Sequence, residues 1–327
     1  MNNTFTHKKK VIIDCDPGID DALALMLALR SPELDIAGIT VVSGNVPADL
    51  GAANALKVLA LMDRTDIPVY MGESLPLNRP LVTAQDTHGM DGLGESGYPQ
   101  ITHIPVHENG VDFIIDTLAD HPGTSIIALG PMTNIARAMM KSPDAFDHLS
   151  ELVTMGGSYK SHGNCSPVAE FNYWVDPHAA RYVYEHLNRP ITMVGLDVTR
   201  QIVLTPNLIS LIGRFDNALS RFMVDITRFY VDFHWHQEKI LGCVINDPLA
   251  VAVFLKADLC RGFKTYVTVE TEGMCVGQTV VDAYGFWQKA PNCTVLTETD
   301  AIAFMKFFLG RLFPEQEPLI QDLEKLI

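Results

Sequence analysis

Short apolar runs rich in β-branched residues alternate with helical patterns from Val11 to Val194, and this alternation restricts the fold more than any other feature of the chain. Val11-Ile12-Ile13 reads as a buried strand, and Asp20 to Arg30 carries leucines and alanines at helical spacing before Ser31-Pro32 stops it. Ile36 to Val42 is strand-like, Pro47 opens a helix to about Met62, and Ile67 to Tyr70 is a short strand. An irregular stretch rich in Gly, Pro and Asp runs from Gly72 to about Pro105. The cycle resumes with helix Val111 to Ala119, strand Ser125 to Leu129, helix Asn134 to Met140, strand Leu152 to Met155, helix Pro177 to Leu187 and strand Ile191 to Val194. Parallel neighbours need a crossover, and the crossover helix covers the sheet face. The expected class is therefore α/β: a single domain over residues 1–327 with an open, mostly parallel, Rossmann-like mixed sheet and helices on both faces. A helical elaboration is expected at about 205–255. Lys264 to Glu270 and Thr279 to Tyr284 read as an antiparallel pair, and Asp300 to Leu312 as a final helix.

Charge narrows the partners. Among 327 residues, 24 Lys and Arg face 39 Asp and Glu, a net charge of −15, which disfavours a nucleic-acid ligand and suits a cation or a small neutral molecule. With 47% hydrophobic and 19% charged residues the chain can bury a large core. Met1 to Lys10 is polar with a Lys8-Lys9-Lys10 run and reads as no secretory signal. No segment approaches the ~20 apolar residues of a membrane span. A soluble, cytoplasmic protein with no membrane partner is expected. The six cysteines stand singly, without a C-x-x-C pair, so buried thiols are expected rather than disulfides or zinc.

The densest chemistry is Asp14-Cys15-Asp16-Pro17-Gly18-Ile19-Asp20-Asp21, which puts four carboxylates at a strand-to-helix junction, where sites of such sheets gather. Strand alternation places Asp14 and Asp16 on one side, and the helix dipole favours Asp20 and Asp21 in the first turn. Capping accounts for two of them. Four would repel one another in a dry cleft unless a cation compensates, and an irregular all-oxygen set suits Ca²⁺ or Mg²⁺, Ca²⁺ the better. Three more clusters fall on loops above the sheet. Gly163-Asn164 through Ala169-Glu170-Phe171-Asn172 can bond several hydroxyls. Asp247 in Asn246-Asp247-Pro248 is either a helix cap or another ligand. Gly130-Pro131-Met132-Thr133-Asn134 offers exposed carbonyls and amides, or is a plain turn.

Together these residues resemble the nucleoside hydrolase (N-ribosylhydrolase) family, whose signature D-x-D-P-G-x-D-D-A stands at Asp14 to Ala22. Ser43-Gly44-Asn45, His88-Gly89, Gly130-Pro131, Met155-Gly156-Gly157, Ala169 to Asn172, Gly195-Leu196-Asp197, Asp247-Pro248 and Thr279 to Asp282 follow in the family's order, from Val11 to about Phe308. The resemblance implies the nucleoside hydrolase fold, a homodimer or homotetramer, and hydrolysis of the ribose–base bond of ribonucleosides with one held Ca²⁺. It implies Asp16, Asp21 and Asp247 as the metal's side-chain ligands and Leu129 as a main-chain ligand. Ribose hydroxyls would be held by Asp20, Asn164, Glu170 and Asn172, with Asn45 near the reacting sugar and Asp14 as a scaffold carboxylate.

The chemistry agrees with those residue types. Cleaving an N-glycosidic bond develops positive charge on the sugar, which a carboxylate-lined cleft stabilises, and Asp16 can take a proton from a water oriented by Ca²⁺. One position departs from the family. Well-known members carry a histidine immediately before the metal-binding aspartate, where this chain has Asn246, which can donate a hydrogen bond but not deliver a proton. His234, ahead of His236, is the candidate acid toward the departing base, and His88 a candidate base contact. Two rivals remain: a nucleoside-binding protein that has lost turnover, and a phosphatase of the haloacid dehalogenase type. The second expects Thr or Val where Gly18 stands.

Overall fold

The computed structural model describes residues 8–325; Met1 to His7, part of the stretch read as lacking a secretory signal, lies outside the described residues. In chain order β1 (Lys9–Cys15), α1 (Ile19–Leu29), β2 (Leu34–Val41), α2 (Ala48–Leu61) and β3 (Val69–Met71) form the first repeats. The single turn α3 (Gln85–His88) interrupts the irregular stretch before β4 (Val106–His107), α4 (Gly110–Asp120), β5 (Ser125–Ala128), α5 (Thr133–Lys141) and β6 (Leu152–Met155). Next come α6 (Phe171–Val175), α7 (Pro177–His186), β7 (Ile191–Val194), α8 (Leu196–Thr199), β8 (Val203–Leu204), α9 (Pro206–Gly213), α10 (Ala218–Glu238), β9 (Cys243–Val244) and α11 (Asp247–Leu255). The chain closes through β10 (Cys260–Thr265), β11 (Val267–Val269), β12 (Thr279–Val281), β13 (Cys293–Thr299), α12 (Ala301–Leu312) and α13 (Glu317–Gln321).

Among the described residues nine strands form one sheet in the order β10-β13-β7-β6-β5-β1-β2-β3-β4, parallel throughout except for the antiparallel edge strand β10. The chain runs from β1 outward through β2, β3 and β4, then returns to β5 on the other flank of β1. That reversal makes the crevice beyond the C-terminal ends of β1 and β5 the switch point, where ligands bind in open α/β sheets. Asp16 follows β1, and Leu129 follows β5.

Helices cover both faces. On one, α1 and α11 are buried along almost their whole lengths, as helices apolar on every side must be. Each fully buried leucine or methionine of α1 contributes roughly 1.5–3 kcal/mol, so docking rather than helix propensity fixes where Asp20 and Asp21 stand. On the other face α4, α5 and α7 pack with Ile12, Ile126 and Leu152. Among the described residues no helix is long and apolar enough to cross a membrane.

The C-terminal third corrects one expectation. The antiparallel pairing expected there joins only Val267–Val269 to Thr279–Val281. Lys264 belongs instead to β10, which pairs with β13, a strand the sequence did not suggest. β10 reads Cys-Arg-Gly-Phe-Lys-Thr at a half-exposed edge, so it lacks the continuous apolar run that marks the central strands.

Candidate active site

The turn from β1 into α1 folds the carboxylates back on their own amides. Asp21 Oδ1 accepts the Asp16 N–H at 3.2 Å, and Oδ2 accepts the Gly18 N–H at 3.0 Å. Asn45, from the loop after β2, bridges the pair: its main-chain N–H donates to Asp16 Oδ2 at 2.6 Å and its side chain to Asp21 Oδ2 at 2.9 Å. Asp16 Oδ1 is buried with no hydrogen-bond partner. It lies where two loops come close, because a Cβ on Gly130 would stand 2.5 Å from that oxygen and one on Gly44 would collide with Oδ2. Only glycine lets both loops reach the carboxylate.

Oxygens of Asp20, Asp21 and Asp247, all buried, lie within 4.8 Å of one another. Burial, then Asp20 and Asp21, pushes the Asp247 carboxyl well up; burial, then Asp21, does the same to Asp16. Asp21 is raised as well, by burial and then by Asp20. Charged together these groups need a cation. The donors are all oxygens, and beside them Asp16 Oδ1 is a buried carboxylate oxygen with no partner among the described residues, so the site fits a hard divalent ion. Asp20 joins this cluster although the sequence pointed to it as a ribose ligand, while Asp16 adjoins the trio rather than belonging to it. Asp247 stands in the first turn of α11 and makes no cap bond; Asn246 occupies the cap position. Asp14 turns away, its Oδ1 accepting from Thr40 at 2.5 Å and from Asn134 at 2.8 Å. The stretch Gly130 to Asn134, which read either as exposed polar groups or as a plain turn, is buried, with Asn134 also accepting from the Glu73 N–H.

A cleft opens over the cluster. Of the residues picked out from the sequence, Asp20, Asn45, His88, Leu129, Asn164, Glu170, Asn172, His234, Asn246 and Asp247 line it. Glu170 caps α6: its Oε1 accepts the Asn172 N–H at 2.8 Å and its Oε2 the Gly157 N–H at 2.9 Å. Burial nevertheless holds its carboxyl up at about 7, against those bonds. The Asn172 amide donates to the Leu129 carbonyl at 2.7 Å, which leaves that oxygen a second lone pair, and Asn164 Oδ1 accepts the Phe171 N–H at 2.9 Å.

The two cleft histidines are fixed differently. His88 Nδ1 accepts the Ile19 N–H at 3.1 Å, so its proton sits on Nε2. His234 Nδ1 donates to the Tyr230 carbonyl at 2.8 Å, which leaves Nε2 free to gain and lose a proton. Burial lowers the pKa of both. His236 is not brought to the cleft: two residues further along α10 it faces the exposed side, with Nδ1 on the Asp232 carbonyl. A helix advances about 200° in two residues, so both histidines could not share one face.

Sequence reasoning missed Tyr230, Arg200 and Glu238, all of which line the cleft. The Tyr230 hydroxyl donates to Asp20 Oδ2 at 3.1 Å, and its ring packs against His88 and His234. Tyr230, His234 and Glu238 recur every fourth residue and so share a face, a signal available in the sequence.

The model of a family described as inosine-uridine preferring nucleoside hydrolase matches residues 11–306. The pyrimidine-specific ribonucleoside hydrolase RihA of Salmonella arizonae is 36% identical over 305 residues, covering 92% of this chain and 97% of that protein. Among solved structures, a purine-preferring ribonucleoside hydrolase from Gardnerella vaginalis superimposes with a TM-score of 0.89 at 32% identity, covering 95% of this chain and 100% of that one. A plant nucleoside hydrolase gives 0.88 at 31% identity, covering 93% and 98%.

Proposed function

This chain belongs to the inosine-uridine preferring nucleoside hydrolase family, and on that premise we propose how its residues divide the work. It hydrolyses the N-glycosidic bond of ribonucleosides, giving free base and ribose. Asp16, Asp21, Asp247 and the Leu129 carbonyl would hold the metal, taken here as Ca²⁺, with Asp20 beside them. When bound, the ion supplies positive charge that orients water and sugar hydroxyls and lowers the water's pKa.

The protein's own groups perform the rest. Asp16 takes the proton of the water attacking C1′. Asp20, Asn164, Glu170 and Asn172 hold the ribose hydroxyls, which keeps C1′ near the nucleophile and rejects deoxyribosides by leaving polar groups unpaired. The same carboxylates stabilise the positive charge that develops on the sugar. As the bond breaks, His234 gives the Nε2 proton to the departing base. His88 donates its fixed Nε2–H to an acceptor on the base. The Asn246 side-chain N–H donates to Asp20 Oδ2 at 3.0 Å, so this amide holds a carboxylate and supplies no proton to the base.

The convergence of buried Asp20, Asp21 and Asp247 under a cleft lined by amides and two histidines carries this reading. The test is to incubate the purified protein and calcium with inosine, adenosine, guanosine, uridine and cytidine and measure reducing sugar. Ribose release is expected; tight nucleoside binding without it favours the turnover-deficient binding protein, and phosphate release from a sugar phosphate the phosphatase.

A further inference from the structure

The loop from Tyr159 to Gly163 leads directly into Asn164, and two side chains three residues apart hold it. Asp197 accepts the main-chain N–H groups of Tyr159, Lys160 and Ser161 at 2.6, 2.8 and 3.0 Å. Arg200 donates to Ser161 Oγ at 2.5 Å, to the His162 carbonyl at 2.6 Å and to the Gly163 carbonyl at 3.0 Å. Its Nε pairs with Glu238 Oε2 at 3.4 Å. Glu238 ends α10 one turn beyond His234, on the same face.

This guanidinium thus joins two parts of the cleft that no covalent path connects closely. One arm fixes the loop that presents Asn164; the other reaches the helix that presents His234. The side chains of Arg200 and Glu238 are only 16% and 18% exposed, so solvent screens them less than a surface pair. Three acceptors and a carboxylate around one planar group call for the rigid fork of arginine, which the single point charge of lysine does not reproduce.

We propose that Arg200 is a positioning residue for ribonucleoside hydrolysis, setting the sugar-holding loop of Asn164 against the end of α10 that carries His234. The inference rests on the proposed roles of Asn164 and His234. A residue that merely stabilised the loop would alter the melting temperature and leave the kinetic constants alone. Arg200 alters the capture of sugar instead, so its loss acts on every riboside, whatever the leaving group. Loss of the Glu238 charge acts on the leaving-group end.

The experiment measures kcat, KM and Tm for wild type, R200A, R200K and E238Q with uridine and 4-nitrophenyl riboside. R200A and R200K should each raise KM by about tenfold or more on both substrates, the scale of losing charge-assisted hydrogen bonds, and, by losing the pair with Glu238, should also lower kcat on uridine. Added guanidinium ion should return the KM of R200A toward wild type. E238Q should lower kcat on uridine and leave KM and the nitrophenyl riboside rate nearly unchanged. An unchanged KM in folded R200K overturns the proposal even if R200A does not fold. Wild type that turns over neither substrate overturns the functional reading and this inference with it; wild-type turnover with KM unmoved in the variants overturns this inference alone.

Discussion

The Asn246 side chain donates to Asp20 Oδ2 at 3.0 Å and shares that oxygen with the Tyr230 hydroxyl at 3.1 Å. An amide so placed holds a carboxylate and has no proton for a departing base. Asn246→Ala should therefore loosen Asp20 and act at the sugar end. We expect kcat/KM to fall about tenfold on uridine and on 4-nitrophenyl riboside alike. Steady-state kinetics on the two substrates decide it, and a loss confined to uridine would contradict the assignment.

His234 is the converse case. Its Nε2 is free to carry a proton to the base, and nitrophenolate needs none. His234→Ala should cost uridine ~10²–10⁴ in kcat, the usual weight of general acid catalysis, and leave the nitrophenyl riboside nearly untouched. His236→Ala, on the exposed side of the same helix, should change neither rate. Equal losses on both substrates in the His234 variant would remove it as the acid.

The pH dependence follows from the same residue. Burial pushes the His234 imidazole below its usual range, against the support of the Tyr230 carbonyl. A lowered pKa means the acid form disappears at lower pH than for a free imidazole, whose value is ~6.5. The ratio of kcat/KM for uridine over the nitrophenyl riboside should then fall as pH rises, the fall setting in below the ordinary imidazole range and approaching tenfold per unit. Any limb from Asp16 is common to both substrates and cancels. A ratio that is flat, or that rises with pH, would refute the acid role.

Much of this was legible beforehand, for reasons visible in particular residues. Val11-Ile12-Ile13 and Ser125 to Leu129 announce themselves because parallel strands buried on both faces must be apolar throughout. Asp14 to Asp21 stands out because so many carboxylates in one turn are costly without a counter-charge. The edge strand β10 and its partner β13 escaped because half-exposed strands carry polar residues that read as loop. Arg200 escaped for a different reason: an arginine in the turn that ends a short helix signals nothing until folding brings Ser161, His162 and Gly163 around it. His236 was misplaced because spacing along a sequence does not say which face of a helix is buried.

Stability should report the cation. Burial holds Asp14 and Glu170 up at about 7, and burial, then repulsion from neighbouring carboxylates with Asp20 among them, raises Asp16, Asp21 and Asp247. A carboxyl raised on folding binds its proton more tightly in the native state. Without a cation, stability therefore falls as pH rises from about 4 to about 7. A bound divalent ion opposes that slope at its ligands. Chelator-treated protein should melt lower at about pH 8 than at about pH 5, and calcium should raise Tm much more at the higher pH. A calcium effect equal at both pH values would argue against a carboxylate-held ion.

The central claim is that Asp16, Asp21 and Asp247 hold one divalent ion on which the ribose hydroxyls close. A crystal structure of the protein with calcium and ribose tests it most directly. The account predicts a single Ca²⁺ bounded by those three carboxylates and the Leu129 carbonyl, with two sugar hydroxyls completing its shell. Ribose bound in the cleft with the ion elsewhere, or an ion that Asp16 does not touch, would contradict it.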